Sequence, residues 1–425
     1  MAHVDRISHL PEALLLRILS KLPTTKDVLA TMVLSKRWEH LWKSVPKLVF
    51  NDSCQNIDSG TGRFSRFVER SLILHEAPVE TLHFKLTQKS LAVNDIGVWI
   101  TIAVKCGVRD MSIDIDLSSS STPVILPRSL YTAGSRMLVF LKLKSVTLMD
   151  VSSLPSFPAL KKLGLVSVKY PGDEFVRRLL SSCHVLEDLV VKQRPDDNVT
   201  IFTVKVPSLK RASLNKSSKR RTEGEDGFVI DAPSLEYLGI SFGPVGSCVI
   251  ENDMPKIVKA NVVAAQSSSG VTLTSFTSAK RLYICLPYSK DAYSVGTVFH
   301  RLVRLRICTC KTEWLNLLMR LLNDSPNLRY LKLEKCHEIE LELPCWNDPS
   351  SVPECLSSSL QTLEWVGYEG SKEEKEAAAF MLRSGRCLKN VTISTKSTDS
   401  DKKLEMLREL SLSFRCSPTC QLAFN

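Results

Sequence analysis

A short apolar pattern recurs along most of this chain and restricts the folds that the chain can adopt. Each copy has an apolar residue, a gap of two, a second apolar residue, a gap of one and a third apolar residue, as in Leu160, Leu163 and Leu165. Between Leu138 and Leu328 consecutive copies begin 22 to 26 residues apart. Their first residues are Leu138, Leu160, Leu186, Leu209, Leu235, Ile257, Ala279, Leu302 and Leu328.

This step lies in the range of leucine-rich repeats, in which every copy contributes one short strand. One strand cannot bury its apolar side alone, whereas stacked copies share a continuous core. The pattern therefore predicts an α/β fold built as a leucine-rich-repeat solenoid. The asparagine that follows the strand in regular repeats is mostly absent, so we expect an irregular solenoid. The alternative is a generic α/β domain with coincidental spacing, and the constancy of the step argues against it.

The first fifty residues carry a different pattern, which predicts three short helices. Pro11 suits the first turn of a helix, and Pro23 ends it. The apolar residues between them at helical spacing are Leu14, Leu15, Ile18, Leu19 and Leu22. Thr24 and Asp27 resemble a capping box at the start of a second helix. Ser35 is the expected N-cap of a third helix that contains Trp38, Leu41 and Trp42.

So small a helical segment has more apolar residues than its own core can bury. The surplus predicts a docking face for a protein partner. The segment resembles the plant form of the F-box motif at Leu10-Pro11, Ile18-Leu19, Leu22-Pro23, Leu34-Ser35-Lys36-Arg37-Trp38 and Trp42. The alternative is an ordinary helical cap on the domain that follows.

The F-box resemblance implies a partner: a Skp-type adaptor and, through it, the cullin of a ubiquitin ligase. It also implies that the chain is a receptor for a substrate protein and not an enzyme. The residues that we expect to contact the adaptor, or to support those contacts, are Leu10, Pro11, Leu14, Ile18, Leu22, Pro23, Leu34, Lys36, Trp38 and Trp42.

The last eighty residues depart from the regular step. Copies of the apolar pattern begin at Leu360 and Leu388, after steps of 32 and 28 residues. Residues 373–382 are expected to form a helix with two glutamates in its first turn. The order of these features, ending in Ser417-Pro418-Thr419-Cys420, resembles the FBD module of plant F-box proteins. We therefore predict an F-box at residues 1–50, leucine-rich repeats at 51–345 and an α/β FBD cap at 346–425.

Four consecutive repeat strands place charged and aromatic side chains on the face opposite to the core. The residues that flank the second apolar residue point away from the core, toward the concave side of the sheet. Neighbouring strands lie about 4.8 Å apart, so these side chains form one patch. We hypothesise that this patch binds an acidic or phosphorylated segment of the substrate protein. An ordinary charged sheet face is the alternative. The patch consists of Lys259, Arg281, Tyr283, Arg304, Arg306, Tyr330 and Lys332.

The sequence contains no convincing catalytic or metal-binding set. No nucleophile motif, phosphate-binding loop or dinucleotide fingerprint is present. Cys308, Cys310, Cys336 and His337 resemble part of a zinc site. No second ligand pair follows at a suitable spacing, however, so we favour buried thiols. We therefore predict neither a metal ion nor a cofactor.

The composition limits the cellular compartments in which we expect the protein and the kinds of partner that it can bind. No apolar run has the length of a membrane span, and no apolar signal peptide accompanies Asp5 and Arg6. We therefore expect a nuclear or cytoplasmic protein whose 13 cysteines are reduced and mostly buried. The net charge of +11 permits an acidic partner but does not indicate a nucleic acid. The basic cluster at residues 216–221 fits a solvated loop better than a nuclear-import signal.

Overall fold

Each copy of the apolar pattern forms one β-strand in the computed structural model. Leu163 and Leu165, for example, are both buried on the strand Lys162–Val166. The strands pair in parallel and in register, so that Leu141, Leu163 and Leu189 lie side by side in the core. The α/β class and the stacked repeats that the sequence predicts are confirmed.

The structure describes residues 7, 9–52, 62–87, 95–116, 124–131, 133–150, 155–194, 198–217, 226–243, 246–264, 273–286, 294–310, 314–336, 346 and 349–425. Asp5, Arg6, His337 and positions 218–221 of the basic cluster lie outside these ranges. The chain divides into two units, Met1–Leu209 and Lys210–Asn425, and each is described by itself. In the described ranges, no helix has both the length and the apolar character that crossing a membrane requires.

The first unit begins with helices and continues as parallel repeats. Its helices are α1 (Glu12–Leu19), α2 (Thr25–Ala30), α3 (Trp38–Leu41), α4 (Gly62–Ile73), α5 (Asp95–Lys105) and α6 (Asp173–Ser181). Its strands are β1 (Lys47–Asn51), β2 (Thr81–Thr87), β3 (Asp110–Asp116), β4 (Phe140–Lys144), β5 (Lys162–Val166), β6 (Asp188–Gln193) and β7 (Ile201–Lys205). Strands β1 to β6 pair in parallel in that order, and β7 packs against α6.

Aromatic side chains fill the start of the sheet in the first unit. The ring of Phe84 on β2 stacks on Phe50 of β1 and on Trp99 of α5, with centroid distances of 5.6 and 5.5 Å. Phe64 of α4 meets the edge of Trp99 at 6.2 Å. These rings hold α4 and α5 against the strands.

The second unit contains the remaining repeats. Its strands are β8 (Arg211–Lys216), β9 (Asp226–Asp231), β10 (Tyr237–Phe242), β11 (Gly246–Ile250), β12 (Lys259–Ala264), β13 (Arg281–Cys285), β14 (Arg304–Cys308), β15 (Tyr330–Glu334), β16 (Thr362–Val366), β17 (Asn390–Ser394) and β18 (Gln421–Phe424). Its helices are α7 (Trp314–Asn323), α8 (Glu354–Ser358), α9 (Lys372–Ser384) and α10 (Ser400–Leu412). Strands β8, β10 and β12 to β18 pair in parallel in that order.

The C-terminal part of the second unit adds three strands to the same sheet. Trp365 of β16 is fully buried and meets the rings of Trp314 and Tyr368 at 5.7 and 5.1 Å. Helix α9 covers the predicted residues 373–382 and begins with a capping box between Ser371 and Glu374. The helix predicted here is confirmed.

Some strands have no counterpart in the predictions. Strand β1 fits the apolar pattern at Val45, Leu48 and Phe50, but it lies within the segment for which only helices were predicted. Strands β9 and β11 pair in parallel with each other in a separate small sheet. Strand β9 begins at Asp226, where no strand was predicted. Lys216 itself is buried at the end of β8.

Two details of the N-terminal helices differ from the predictions. Helix α1 ends at Leu19 and not at Leu22, because Ser20 and the residues after it form tight turns before Pro23. The N-cap assigned to Ser35 was wrong, since α3 begins at Trp38. The peptide oxygen of Ser35 accepts a hydrogen bond from the Trp38 N–H at 2.9 Å, and its hydroxyl has no partner among the described residues.

Candidate docking and recognition surfaces

The N-terminal helices pack around a small core. Its buried members are Leu15, Leu19, Val28, Trp38, Leu41, Trp42 and Val45. The capping box predicted at α2 is present: the Thr24 hydroxyl accepts from the Asp27 N–H at 3.2 Å, and the Asp27 carboxylate accepts from the Thr24 N–H at 3.0 Å. Local hydrogen bonds therefore fix the start of α2, and the core fixes how the helices meet.

Several large apolar side chains of this segment remain exposed to solvent. Leu14 and Ile18 on α1 are 42% and 44% exposed, and their i, i+4 spacing puts them on one face of the helix. Val33 and Leu34, which follow α2, are 87% and 60% exposed. Alternate sides of α1 thus have different roles: Leu15 and Leu19 face the core, while Leu14 and Ile18 are available to a partner.

The ten residues expected at the adaptor surface fall into three groups. Pro11, Leu14, Ile18, Pro23, Leu34 and Lys36 are exposed. Leu10 and Leu22 are half-buried and pack against the core. Trp38 and Trp42 are buried members of the core, so the role that fits them is support of the exposed residues.

Sequence reasoning missed two exposed apolar residues of the same segment. Ile7 precedes α1, and Val33 lies in the turn after α2. Helix α2 ends at Ala30, and the backbone then tightens into a 3-10 turn that contains Val33. The change of helix type turns Val33 outward, and helical spacing alone does not predict such a change.

The structure brings the predicted basic patch together on one face of the second unit. Strand pairing aligns its residues in two rows. The first row runs through Lys259, Arg281, Arg304 and Tyr330, and the second through Asn261, Tyr283, Arg306 and Lys332. Leu282, Leu305 and Leu331, which alternate with these residues, are buried. The predicted residues therefore share one face, and their role as a binding site stays a prediction.

Two acidic residues that the hypothesis did not include lie beside the second row. Glu334 ends β15, and its carboxylate is 2.6 Å from Arg306 Nη2. Lys332 Nζ lies 3.6 Å from Glu334 and 3.7 Å from Glu364, which is its neighbour on β16. These carboxylates therefore partly neutralise the positive charges of Arg306 and Lys332.

Aromatic rings hold three cations of the patch in place. The Arg306 guanidinium lies 4.4 Å from the centroid of Tyr283, and that of Arg304 lies 5.3 Å from Tyr330. Lys259 Nζ lies 5.4 Å from the ring of Tyr237 on β10. Contacts of this kind restrict a long side chain while its charge stays accessible. Lys259, Arg281 and Arg304 in the first row are exposed, and they form the part of the patch that is open to a ligand.

These contacts shift the pKa values of two residues in the patch, Arg306 and Tyr330. Burial opposes the charged form of Arg306, but the Glu334 carboxylate and Tyr283 outweigh it, and the pKa of Arg306 is raised. Burial and a hydrogen bond to Glu364 raise the pKa of Tyr330 to about 12. Arg306 is therefore charged and Tyr330 is neutral at physiological pH.

A cluster of thiols adjoins this face. The sulfur atoms of Cys285, Cys308 and Cys310 all lie within 4.8 Å of one another, and all three residues are buried. The half-buried Cys336 packs against them. Cys285 was not part of the set considered from the sequence, because it lies on the preceding repeat. Seven of the eleven cysteines that the structure describes are buried, as expected.

These features define a class of protein. A small helical segment with exposed apolar residues precedes repeats whose open face carries fixed charges, which is the organisation of a protein that binds other proteins. Family models agree with this division. The F-box domain model matches residues 7–50, the model for the leucine-rich repeats of FBD-associated F-box protein At5g56370 matches residues 96–262, and the FBD model matches residues 347–393.

Relatives from Arabidopsis thaliana match over the whole chain. The probable FBD-associated F-box protein At1g32375 is 60% identical, over 99% of this chain and 100% of its own length. The putative FBD-associated F-box protein At5g56390 is 54% identical over 99% of both chains. The F-box/FBD/LRR-repeat protein At4g26340 is 40% identical over 99% of this chain and its own full length. The chain belongs to the plant family of FBD-associated F-box proteins with leucine-rich repeats.

Proposed function

We propose that the chain is the substrate-binding subunit of a Skp–cullin–F-box ubiquitin ligase. In this proposal the N-terminal helices bind a Skp-type adaptor, and the adaptor connects the chain to a cullin. The repeats select the protein to be ubiquitinated, and the chain itself supplies no catalytic residue. The domains would be residues 1–50, 51–345 and 346–425, and the family models lie within these three ranges.

One observation supports the proposal that the N-terminal helices bind an adaptor. Leu14 and Ile18 are exposed on α1 although the same helix buries Leu15 and Leu19 in a complete small core. Large aliphatic side chains gain about 1.5–3 kcal/mol each on full burial, so a partner surface that covers them would bind with substantial affinity. Leu14 and Ile18, which lie outside the core, are thus the side chains that a partner would cover.

Co-purification with a Skp-type adaptor tests this proposal directly. The wild-type chain should form a stable complex, and a Leu14→Asp, Ile18→Asp double variant should bind at least about 100-fold more weakly, because two charges would be buried without partners. Both side chains are exposed, so the variant should keep its circular dichroism spectrum.

The matched control for this experiment is Ile73→Asp. Ile73 is an aliphatic residue at the end of α4 that is 71% exposed, and it lies outside the N-terminal helices. This variant should bind the adaptor as the wild type does. Full binding by the double variant, or no binding by the wild type to any adaptor, would contradict the proposal and leave an interaction scaffold without ligase assembly.

For the substrate we propose an acidic or phosphorylated segment that lies along the first row of the patch. Lys259, Arg281 and Arg304 are exposed there on three adjacent strands, which would place their charges against successive acidic groups of an extended segment. Glu334 and Glu364 make the second row a weaker site for anions. We therefore propose the first row, and not the whole patch, as the contact with the substrate.

An Arg281→Glu, Arg304→Glu double variant tests the substrate proposal. Proteins captured from plant extract by the wild type should be lost, while adaptor binding stays intact. An Arg329→Glu, Arg386→Glu variant introduces the same charge at exposed positions outside the rows and should capture as the wild type does. If the Arg281→Glu, Arg304→Glu variant captures as much protein as the wild type does, at low and at high salt, the patch is excluded as the substrate site.

A further inference from the structure

The thiol cluster of the second unit has the donor atoms of a metal site. Cys285 ends β13 and Cys308 ends β14, while Cys310 lies two residues beyond Cys308. Cys310 Sγ is 3.8 Å from the sulfur of Cys285 and 2.9 Å from that of Cys308. Three soft donors from two repeats therefore converge on one buried point.

The spacing of these sulfur atoms is close to that in a zinc thiolate site. Tetrahedral zinc has Zn–S bonds of about 2.3 Å, which hold the sulfur atoms about 3.8 Å apart. The pair Cys285–Cys310 already has this separation of 3.8 Å. The pair Cys308–Cys310 would have to open by about 0.9 Å, which a small change in a side-chain torsion provides. Its present 2.9 Å is well beyond a disulfide bond.

Cys336, two residues after β15, supplies a fourth thiol beside the cluster. The Cys336 sulfur forms a hydrogen bond with Cys308. The same sulfur lies 3.2 Å from the Tyr283 hydroxyl. Arg306 Nη2 lies 3.9 Å away on the side of the basic patch. A zinc ion with four thiolates has a net negative charge, and these two donors would stabilise that charge.

Without a metal ion the thiols of Cys285 and Cys336 are protonated. Hydrogen bonds that the Cys285 thiol donates to Cys308 and Cys310, together with burial, raise the pKa of Cys285, and burial raises that of Cys336. A zinc ion that binds here replaces the thiol protons. Each Zn–S bond forms as an S–H bond breaks, and the protons pass to the solvent.

We propose that Cys285, Cys308 and Cys310, with Cys336 as the fourth ligand, bind one Zn²⁺ ion. Thiolates select soft metal ions, and an all-cysteine set favours tetrahedral zinc without redox chemistry. The ion would join β13, β14 and the segment after β15, and would thus brace three consecutive repeats below Tyr283 and Arg306. This site is independent of the proposed ligase function.

Metal content and cobalt substitution test the site in the full-length chain. Protein purified under reducing conditions and dialysed against Zn²⁺ should retain one zinc ion per chain. Replacement by Co²⁺ should give the intense visible bands and the sulfur-to-cobalt charge transfer of a tetrahedral thiolate site. Zinc should also protect the half-buried Cys336 of the wild type from alkylation, as read by peptide mass spectrometry.

Substitutions distinguish this site from adventitious thiol binding. Cys285→Ser and Cys310→Ser should each lose the retained zinc and the cobalt spectrum. Cys248→Ser and Cys355→Ser, which change single buried thiols elsewhere in the same unit, should keep both. Zinc that is retained by Cys310→Ser, or lost equally in the control variants, would overturn the proposal. Equal alkylation of Cys336 in the wild type with and without zinc would also overturn it, without reliance on any variant.

Discussion

At the scale of single residues, burial separates side chains of the same type into different roles. Leu15 and Leu19 are core residues, whereas Leu14 and Ile18, on the same helix, face solvent. Arg306 is paired with Glu334, whereas Arg281 and Arg304 are exposed one row away. Composition and spacing identify such residues as candidates for a binding surface. The burial and the charged neighbours of each residue decide whether it is available to a partner.

His75 provides a test at this scale. Burial lowers its pKa below 6.5, although the neighbouring Glu76 works in the opposite direction, and neither ring nitrogen has a hydrogen-bond partner among the described residues. The unfolded chain therefore takes up a proton near pH 6.5 that the folded chain resists, so stability falls as the pH drops through that value. His75→Gln should lose less stability than the wild type between about pH 7.5 and 5.5.

Thermal unfolding at the two pH values measures this difference. His184→Gln changes an exposed histidine of the same unit and should follow the wild type at both values. If His75→Gln loses as much stability as the wild type on acidification, His75 does not contribute to the pH dependence.

At the scale of elements, local signals in the sequence located most helices and strands but not all their ends. The hydroxyl and carboxylate of Thr24 and Asp27 were sufficient to predict the start of α2, because a capping box involves only residues three apart. The same reasoning failed for Ser35. There the chain forms a turn before α3 begins, and the packing of Trp38 in the core sets where that helix starts.

A pair of alanine variants tests this contrast. Thr24→Ala removes the cap of α2 and should destabilise that helix by about 1 kcal/mol, which increases the exchange of its amide hydrogens about fivefold. Ser35→Ala removes a hydroxyl that has no described hydrogen bond and should have little effect. Hydrogen–deuterium exchange of α2 measures both. Equal exchange in the two variants would show that the cap does not stabilise the helix.

At the scale of the whole molecule, repeats make each strand depend on its neighbours. In the second unit β16 pairs with β15 on one side and with β17 on the other, and Trp365 connects it to α7 through the ring of Trp314. A stack of this kind transmits a local defect mainly to adjacent repeats. The largest buried side chains should therefore control regional stability.

Trp365→Ala tests this expectation within the second unit. Loss of so large a buried ring should cost about 3–5 kcal/mol. Amide exchange should increase most in β15, β16 and β17 and progressively less toward β10. The exposed variant Lys389→Ala should not change exchange in these strands. A uniform increase over the unit would instead show that it unfolds as one cooperative block.

The sequence by itself determined the repeat strands, the start of α2 and the position of α9, because each depends on spacing between residues close in the chain. It also predicted that the seven side chains of the patch share one face of the sheet, since strand alternation is a local rule. Only the tertiary structure placed Glu334 against Arg306 and brought Cys285 to Cys310. It also decided which leucines of α1 remain exposed. These contacts depend on strand register and on the packing of segments far apart in the chain, which local periodicity does not encode.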